Sequence, residues 1–294
     1  MKETADKIRA VGIIGNSGKI SCGAVVAKAA RLIQKTGRDV HTDEATASLA
    51  RFKATVSPNA GAVARRVNLM LVFGGDGTLL RVAREVAGSR TPLLGINVGG
   101  LGFLTAVPSS ELAPALSRVW KADFSYETRV LLQAATHTSG QQMHQTALND
   151  IVISRGIASR LIELGVKVDG DALTRYRCDG LIISSPTGST AYSLAAGGAV
   201  VFPTAQVMAL TPICPHTLSN RSLIVPVTAT IEVTVLNPKP ATVLSADGQM
   251  VTELSEGDTI TVKRSRQAIR LVHLAGTSFC ETLRKKLHWR GGSL

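Results

Sequence analysis

The sequence predicts two domains: an α/β N-terminal domain with a mostly parallel sheet over residues 1–125, and a β-rich domain over residues 126–277. Three observations carry this prediction. Strand-length apolar runs alternate with helical patterns through the first stretch, the rhythm of parallel strands covered by helices on both faces. Beyond Tyr126 the chain changes to strand patterns separated by turn residues. Near the end, residues 278–287 return to a helical pattern, expected to pack back on the first domain. With 294 residues, 45% of them hydrophobic and 18% charged, the chain can bury two ordinary cores and lacks the composition of disorder.

The elements follow in order. "AVGIIG" at residues 10–15 is a short buried-strand candidate. Residues 23–37, "GAVVAKAARLIQKTG", place Val26, Ala29, Ala30 and Ile33 at helical spacing and finish on a helix-closing glycine. "NLMLVF" and "PLLGIN" are further strand-length runs, with a helix from near Thr78 between them. In the second half, "RLIELGVKVDG" sets Ile162, Leu164, Val166 and Val168 on one face of a strand, and "DGD" at residues 169–171 is its turn. "TATIEVTV", "DTITVKR" and "AIRLVHL" repeat the strand signature, with "NPKP" and "ADGQ" as turn signals between them. In "SFCETLRKKL", Ser278 and Glu281 have capping-box spacing, and Phe279, Leu283 and Leu287 make the apolar stripe.

Composition excludes several classes of function. No apolar run reaches the roughly 18 residues that a membrane span needs. The N-terminal "MKETADKIRA" shows no secretory signature, so a cytoplasmic protein is expected. Cys22, Cys178, Cys214 and Cys280 are far apart and form no C-x-x-C, which fits reduced, mostly structural thiols. The net charge of +12 points to an anionic partner, although an idle basic surface would look the same. The basic residues are scattered and aromatics are only 4%, where a nucleic-acid binder would more often show a dense basic stripe with interleaved aromatics; by charge alone, phosphorylated small molecules suit the chain as well as DNA does.

Most familiar motifs fail. "GIIGNSGKI" has five residues between Gly12 and Gly18 where a P-loop has four, and Ile20 follows Lys19 where a metal-binding hydroxyl belongs. The dinucleotide fingerprint G-x-G-x-x-G is absent, as is H-E-x-x-H, and His216 reads as structural. "VFGGDGTLL" is different. Phe73 ends a buried strand at the carboxyl edge of the sheet, where open α/β sheets bind ligands. Gly74, Gly75 and Gly77 permit positive φ and close approach by a ligand, and the following helix offers N–H groups and its positive dipole end to phosphate. Asp76 then stands beside bound phosphates, as a base toward a hydroxyl or a contact to a metal. The competing reading of Asp76 is an ordinary helix cap. Three glycines around one carboxylate favour the site.

G-G-D-G-T resembles the phosphate-handling motif shared by NAD kinases, diacylglycerol and sphingosine kinases and, more loosely, phosphofructokinases. Further segments select the NAD kinase family: "PLLGINVGGLGFLT" at 92–105, "ALNDIVISRG" at 147–156, "CDGLIISSPTGSTAYSLAAGGAVV" at 178–201 and "LTPICPHTLSNRSLIVP" at 210–226. The resemblance covers nearly the whole chain and implies a phosphofructokinase/diacylglycerol kinase-like N-terminal fold. Residue by residue it implies Asp76 as proton acceptor with Gly77 against the substrate, and Asn149 and Asp150 on the NAD adenosine. Asp150 is one methylene shorter than the glutamate common in relatives. Arg177 and Asp179 match positions near the nicotinamide riboside, and Thr190, Ala191, Tyr192, Ser193, Leu194 and Ala195 match the adenosine loop. Arg81, Arg160 and Gln249 match more weakly, with solvated surface charge as the other reading of the two arginines. Phe103 matches an adenine-pocket position, although a core phenylalanine is the commoner fate of that residue type; Gly100 replaces a bulkier residue. Without the name, "SSPTGSTAYSLAAGG" is already a strand end, a loop of hydroxyls and a short helix from near Thr190, able to hold adenosine or phosphate. In the competing reading its hydroxyls merely cap the helix and Tyr192 packs in a core.

The implied reaction is transfer of the γ-phosphoryl group of ATP to the 2′-hydroxyl of the adenosine ribose of NAD, giving NADP, with Mg²⁺ bound to the nucleotide and its exact ligands in the chain left open. Inorganic polyphosphate as donor, NADH as acceptor, and a homodimer or homotetramer stay open at this stage. The rival readings are a lipid or sugar kinase sharing G-G-D-G-T and a non-catalytic NAD(P) sensor. The run at 178–201 opposes the first, and an intact carboxylate motif opposes the second.

Overall fold

The computed structural model describes residues 8–289 except 106, 139–140, 157–159, 217–220, 238–241 and 277. Most of "NPKP", the centre of the 210–226 segment and most of the N-terminal "MKETADKIRA" fall outside the described residues. The chain divides into two compact units, changing unit after Thr128 and again after Ala268.

The first unit alternates strands and helices: β1 (Ala10–Gly15), α1 (Ile20–Gln34), β2 (Asp39–Asp43), α2 (Glu44–Leu49), β3 (Thr55–Ser57), α3 (Ala60–Ala64), β4 (Leu69–Gly74), α4 (Asp76–Glu85), β5 (Leu93–Asn97), the two-residue β6 (Val107–Pro108) and α5 (Leu112–Trp120). All five principal strands run parallel in the order β3-β2-β1-β4-β5. All six residues of β4 and all five of β5 are buried, as helices on both sheet faces require. Val26, Ala29, Ala30 and Ile33 of α1 pack with Ile13, Leu71, Phe73 and Ile96 into one core. Helix α1 begins three residues before the expected Gly23: Ile20, 93% exposed, and Ser21 face solvent while Cys22 is buried, so the start carries no apolar period. Asp43 and Asn59 cap α2 and α3 by accepting from Thr46 N and Ala62 N; helices of six and five residues are too short for periodicity to announce.

Strand order matters for function. Successive strands step outward from β1 in one direction through β2 and β3, then in the other through β4 and β5. The reversal between β1 and β4 makes their carboxyl ends the topological switch point, the place where open α/β sheets take ligands. The turn from β4 into α4, with Asp76, stands at this switch point.

The second unit is built from β7 (Phe124–Thr138), β8 (Gln141–Ala147), β9 (Asp150–Ser154), β10 (Ile162–Val168), β11 (Asp171–Cys178), β12 (Gly180–Ser184), a 3-10 turn at Gly188–Thr190, α6 (Tyr192–Ala195), β13 (Val207–Ile213), β14 (Leu223–Pro226), β15 (Ile231–Val235), β16 (Thr242–Ala246), β17 (Gln249–Leu254) and β18 (Thr259–Leu274). β7 begins and β18 ends in the first unit, where Leu271 pairs in parallel with Leu93 of β5. One antiparallel sheet runs β14-β13-β12-β9-β16-β17; β11, β10, β15 and β18 pair antiparallel in a second layer. Ile153, Leu181, Leu210 and Leu244 of the first layer share a core with Leu164, Tyr176, Val233 and Ile260 of the second. "DTITVKR" and "AIRLVHL" prove to be one 16-residue strand, since nothing in "KRSRQ" breaks it. The last helix, α7 (Phe279–Lys286), is capped by Ser278 Oγ, which accepts from Glu281 N at 3.0 Å. Cys22 and Cys178 are buried free thiols, and burial pushes Cys178 up to about 12. Cys214 and Cys280 are exposed. No helix among the described residues is long and apolar enough to cross a membrane.

Candidate active site

In the first unit, β4 ends at Gly74, Gly75 is the helix cap with extended backbone, and Asp76 is the first residue of α4. Its carboxylate does not cap its own helix. It reaches the loop after β5, where Oδ2 accepts Phe103 N at 2.8 Å and Oδ1 accepts Leu104 N at 3.1 Å, Thr105 N at 3.1 Å and Thr105 Oγ1 at 3.0 Å. Asn97, 4% exposed at the end of β5, donates from Nδ2 to Thr105 Oγ1 at 3.0 Å and to Gly100 O at 2.6 Å. The Thr105 hydroxyl therefore relays between Asn97 and Asp76, a chain that orients each member. Gly102 is obligatory here: a Cβ would fall on Asp76 Oδ1 and Thr105 Oγ1.

The glycines around Asp76 behave differently from expectation, since none of Gly74, Gly75 and Gly77 has positive φ. Gly74 is demanded by packing, because a Cβ there would strike Thr78 Oγ1. At Gly75 and Gly77 a Cβ would meet no protein atom within 4 Å, so their backbone is open to close approach. The failed P-loop segment contributes to the same sheet edge: Asn16 N donates to Phe73 O at 2.9 Å, and Lys19 Nζ lies 3.5 Å from where a Gly99 Cβ would be. Arg81, one turn along α4, pairs with Glu85 at 2.6 Å. Phe103 is half-buried against Phe279, ring centroids 6.4 Å apart, with Lys286 Nζ 5.6 Å above its ring.

In the second unit, Asn149 and Asp150 lead into β9, and the loop after β12 closes over them. Ser185 N donates to Asn149 O at 2.8 Å and Ser185 Oγ donates to Leu148 O at 2.5 Å. From the other side, the Asp247 carboxylate accepts Leu148 N, Asn149 N and Asp150 N. Asp150 is 4% exposed; burial, and secondly the charge of Asp247, push its carboxyl up to about 7. Beyond Ser185, Thr190 Oγ1 donates to Thr187 O at 3.2 Å, and Arg129, 8% exposed, donates from Nη1 to Thr187 Oγ1 at 3.2 Å. Tyr192 is 47% exposed, which rules out the core reading of its ring. Ala191, Leu194 and Ala195 flank it on partly open backbone, whereas Ser193 is fully buried with its hydroxyl 3.1 Å from Thr211 Oγ1. Gln249 is exposed at the start of β17, two residues from Asp247.

Three matched residues lie elsewhere. Arg177 and Asp179 precede β12, roughly 20 Å from Ser185 at about 3.3 Å per residue, and Arg160 stands at that same end because Ile162 pairs with Cys178. Asp179 pairs there with Arg155 at 2.7 Å, and Arg177 with Glu163 at 4.0 Å. Sequence reasoning missed Arg129, Arg155 and Asp247. The only local signal was the "ADGQ" turn, which says nothing about what its carboxylate reaches.

The family described as ATP-NAD kinase N-terminal domain matches residues 11–124, and the ATP-NAD kinase C-terminal domain matches residues 148–274. The chain belongs to the NAD kinase family. An NAD kinase of Moorella thermoacetica is 49% identical over 224 residues, 76% of this chain and 72% of that one. The NAD kinase of Cupriavidus pinatubonensis is 37% identical over 282 residues, 96% of this chain and 92% of that one. Among solved structures, yeast NADH kinase complexed with NADH superposes with a TM-score of 0.89 at 26% identity, covering 98% of this chain and 89% of that one. An NAD kinase from Archaeoglobus fulgidus in complex with ATP, 23% identical with a TM-score of 0.75 over 96% of this chain and all of that one, shares the fold. The NAD kinase fold and activity are thereby the fold and activity of this chain.

Proposed function

We propose that Asp76 is the general base of this NAD kinase, taking the proton of the adenosine-ribose 2′-hydroxyl of NAD as the γ-phosphoryl group of ATP transfers to it. One observation carries this reading: the carboxylate stands at the switch point of the parallel sheet and, among the described residues, Oδ2 accepts one donor whereas Oδ1 accepts three. A carboxylate oxygen has room for a second partner, and Oδ2 is the one with that room. A ribose hydroxyl is a poor nucleophile at neutral pH, and a positioned base contributes typically ~10²–10⁴-fold. The remaining acceleration falls to positioning and charge neutralisation. The amides at the N-terminus of α4 and the open backbone at Gly75 and Gly77 suit the phosphate chain. Among the described residues no group of three or more His, Cys, Asp or Glu could hold a metal ion. In this reading a divalent cation enters as part of Mg-ATP, held mainly by phosphates and water.

The adenosine is assigned to Asn149, Asp150 and the Thr190–Ala195 loop, with the exposed Tyr192 ring available to stack. The far placement of Arg160, Arg177 and Asp179 along β12 supports a homodimer or homotetramer in which that end serves a neighbouring copy. Exposed Phe202, Ile224 and Met250 provide apolar surface for such an assembly. Light scattering in solution tests the assembly, and a monomer at working concentration contradicts it. A cytosolic location belongs to the same proposal. The activity assay is incubation with NAD and Mg-ATP, read by an NADP-specific dehydrogenase, with polyphosphate and NADH as substitute substrates and diacylglycerol as the rival acceptor. Phosphorylation of the lipid with no NADP formed would favour the rival kinase.

A further inference from the structure

By local signs Asp247 is an ordinary turn residue: it opens the hairpin between β16 and β17 at φ 47°, followed by Gly248 at φ 75°. Its carboxylate leaves the turn. Oδ1 accepts Asn149 N at 2.7 Å and Asp150 N at 3.3 Å, Oδ2 accepts Leu148 N at 3.0 Å, and Asp247 N donates back to Asp150 O at 3.0 Å. The opposite side of the segment is closed by Ser185, and by Gly188, where a Cβ would fall on the Asn149 backbone. The Asn149 N–H is thus committed to Asp247 and its carbonyl to Ser185. Only its carboxamide remains, and among the described residues that group makes no hydrogen bond.

We propose that Asp247 is the positioning residue of the adenosine subsite: its carboxylate fixes the backbone at 148–150 so that the Asn149 carboxamide is presented to NAD. The inference rests on the reading above that Asn149 contacts the adenosine. The chain contains its own control. Asp169 and Gly170 turn between β10 and β11 at φ 51° and 89°, and there Asp169 Oδ1 accepts Thr230 N at 2.7 Å with no link to residues 148–150. One turn chemistry serves two ends: the first pins a hairpin, the second aims a side chain.

The test compares Asp247→Gly, Asp247→Asn, Asp169→Gly and Asn149→Ala in steady-state kinetics of the full chain. Glycine keeps the left-handed turn and removes the carboxylate, so Asp247→Gly should raise KM for NAD by about 10–100-fold, with kcat and KM for ATP within about 3-fold. Asp247→Asn keeps one acceptor oxygen and the tolerated positive φ, and should recover part of the loss. Asp169→Gly should stay within about 2-fold of wild type in every constant. An NAD KM unchanged in both Asp247 variants while Asn149→Ala raises it overturns the positioning role. So does a parallel rise in KM for NAD and ATP, the mark of general loosening. An unchanged NAD KM in Asn149→Ala overturns the adenosine reading, and this inference with it. Should Asp247→Gly fail to fold, Asp247→Asn is read by the same criteria.

Discussion

Asp76 and Asp247 do the same thing in two different units: each carboxylate gathers three successive backbone amides, 103–105 in one case and 148–150 in the other. Their surroundings differ. Asp76 opens a ten-residue helix at the switch point of a parallel sheet, beside glycines whose backbone is accessible. Asp247 sits in a hairpin turn and holds a segment that is enclosed on its other side by Ser185 and Gly188. Collecting amides is therefore a way to fix a loop, and does not by itself make a base. What separates the two is setting: Asp76 stands at the switch point beside open glycine backbone where substrate can arrive, whereas Asp247 holds an enclosed segment.

The largest effect that could break this comparison is at Asp76. Asp76→Asn should lower turnover by about 10²–10⁴-fold. It should also lower stability by about 1–3 kcal/mol, because an amide NH₂ would face backbone donors. Denaturant unfolding separates the two consequences, and a stability loss without a turnover loss would reduce Asp76 to the role of Asp247. Next comes Gly102→Ala, which keeps Asp76 but displaces its carboxylate through the new Cβ. We expect turnover to drop about 10²-fold, since misplacement of a reacting group by about 1 Å carries such a cost. Near-normal turnover in that variant would show that the loop does not set the carboxylate.

A smaller effect concerns Asp150, whose carboxyl is pushed up to about 7 in the folded chain from its ordinary 3.8. Between these values the folded state keeps a proton that the unfolded chain has lost. This group's contribution thus makes stability fall as pH rises from about 4 to about 7, then level off, by at most a few kcal/mol. Asp150→Asn should remove that slope and leave the variant relatively more stable at about pH 8 than at about pH 5. Parallel pH profiles of the two unfolding midpoints would contradict it. The smallest expected effect is in Asp169→Gly, the turn that aims nothing.

Much of the first unit was legible because buried parallel strands are continuous apolar runs and because G-G-D-G-T concentrates its chemistry in five adjacent residues. The short α2 and α3 were not, since their caps at Asp43 and Asn59 carry no periodic signal. Positive φ at Gly74, Gly75 and Gly77 was a reasonable inference from residue type, yet packing against Thr78 explains Gly74 instead. In the second unit, "LND" and "ADGQ" could each be seen, but not their meeting. Antiparallel pairing of β9 with β16, Ile151 opposite Ala246, brings together residues nearly a hundred positions apart. The distance of Arg177 and Asp179 from Asn149 likewise follows from the length and direction of β12, which a motif match does not encode.

The central claim is that Asp76 removes a proton in the chemical step, and single-turnover formation of NADP from preformed enzyme–NAD complex and Mg-ATP tests it most directly. We expect Asp76→Asn to bind NAD nearly as wild type does yet form NADP at least about 10²-fold more slowly in that single turnover. A single-turnover rate within a few-fold of wild type would remove Asp76 from the base role.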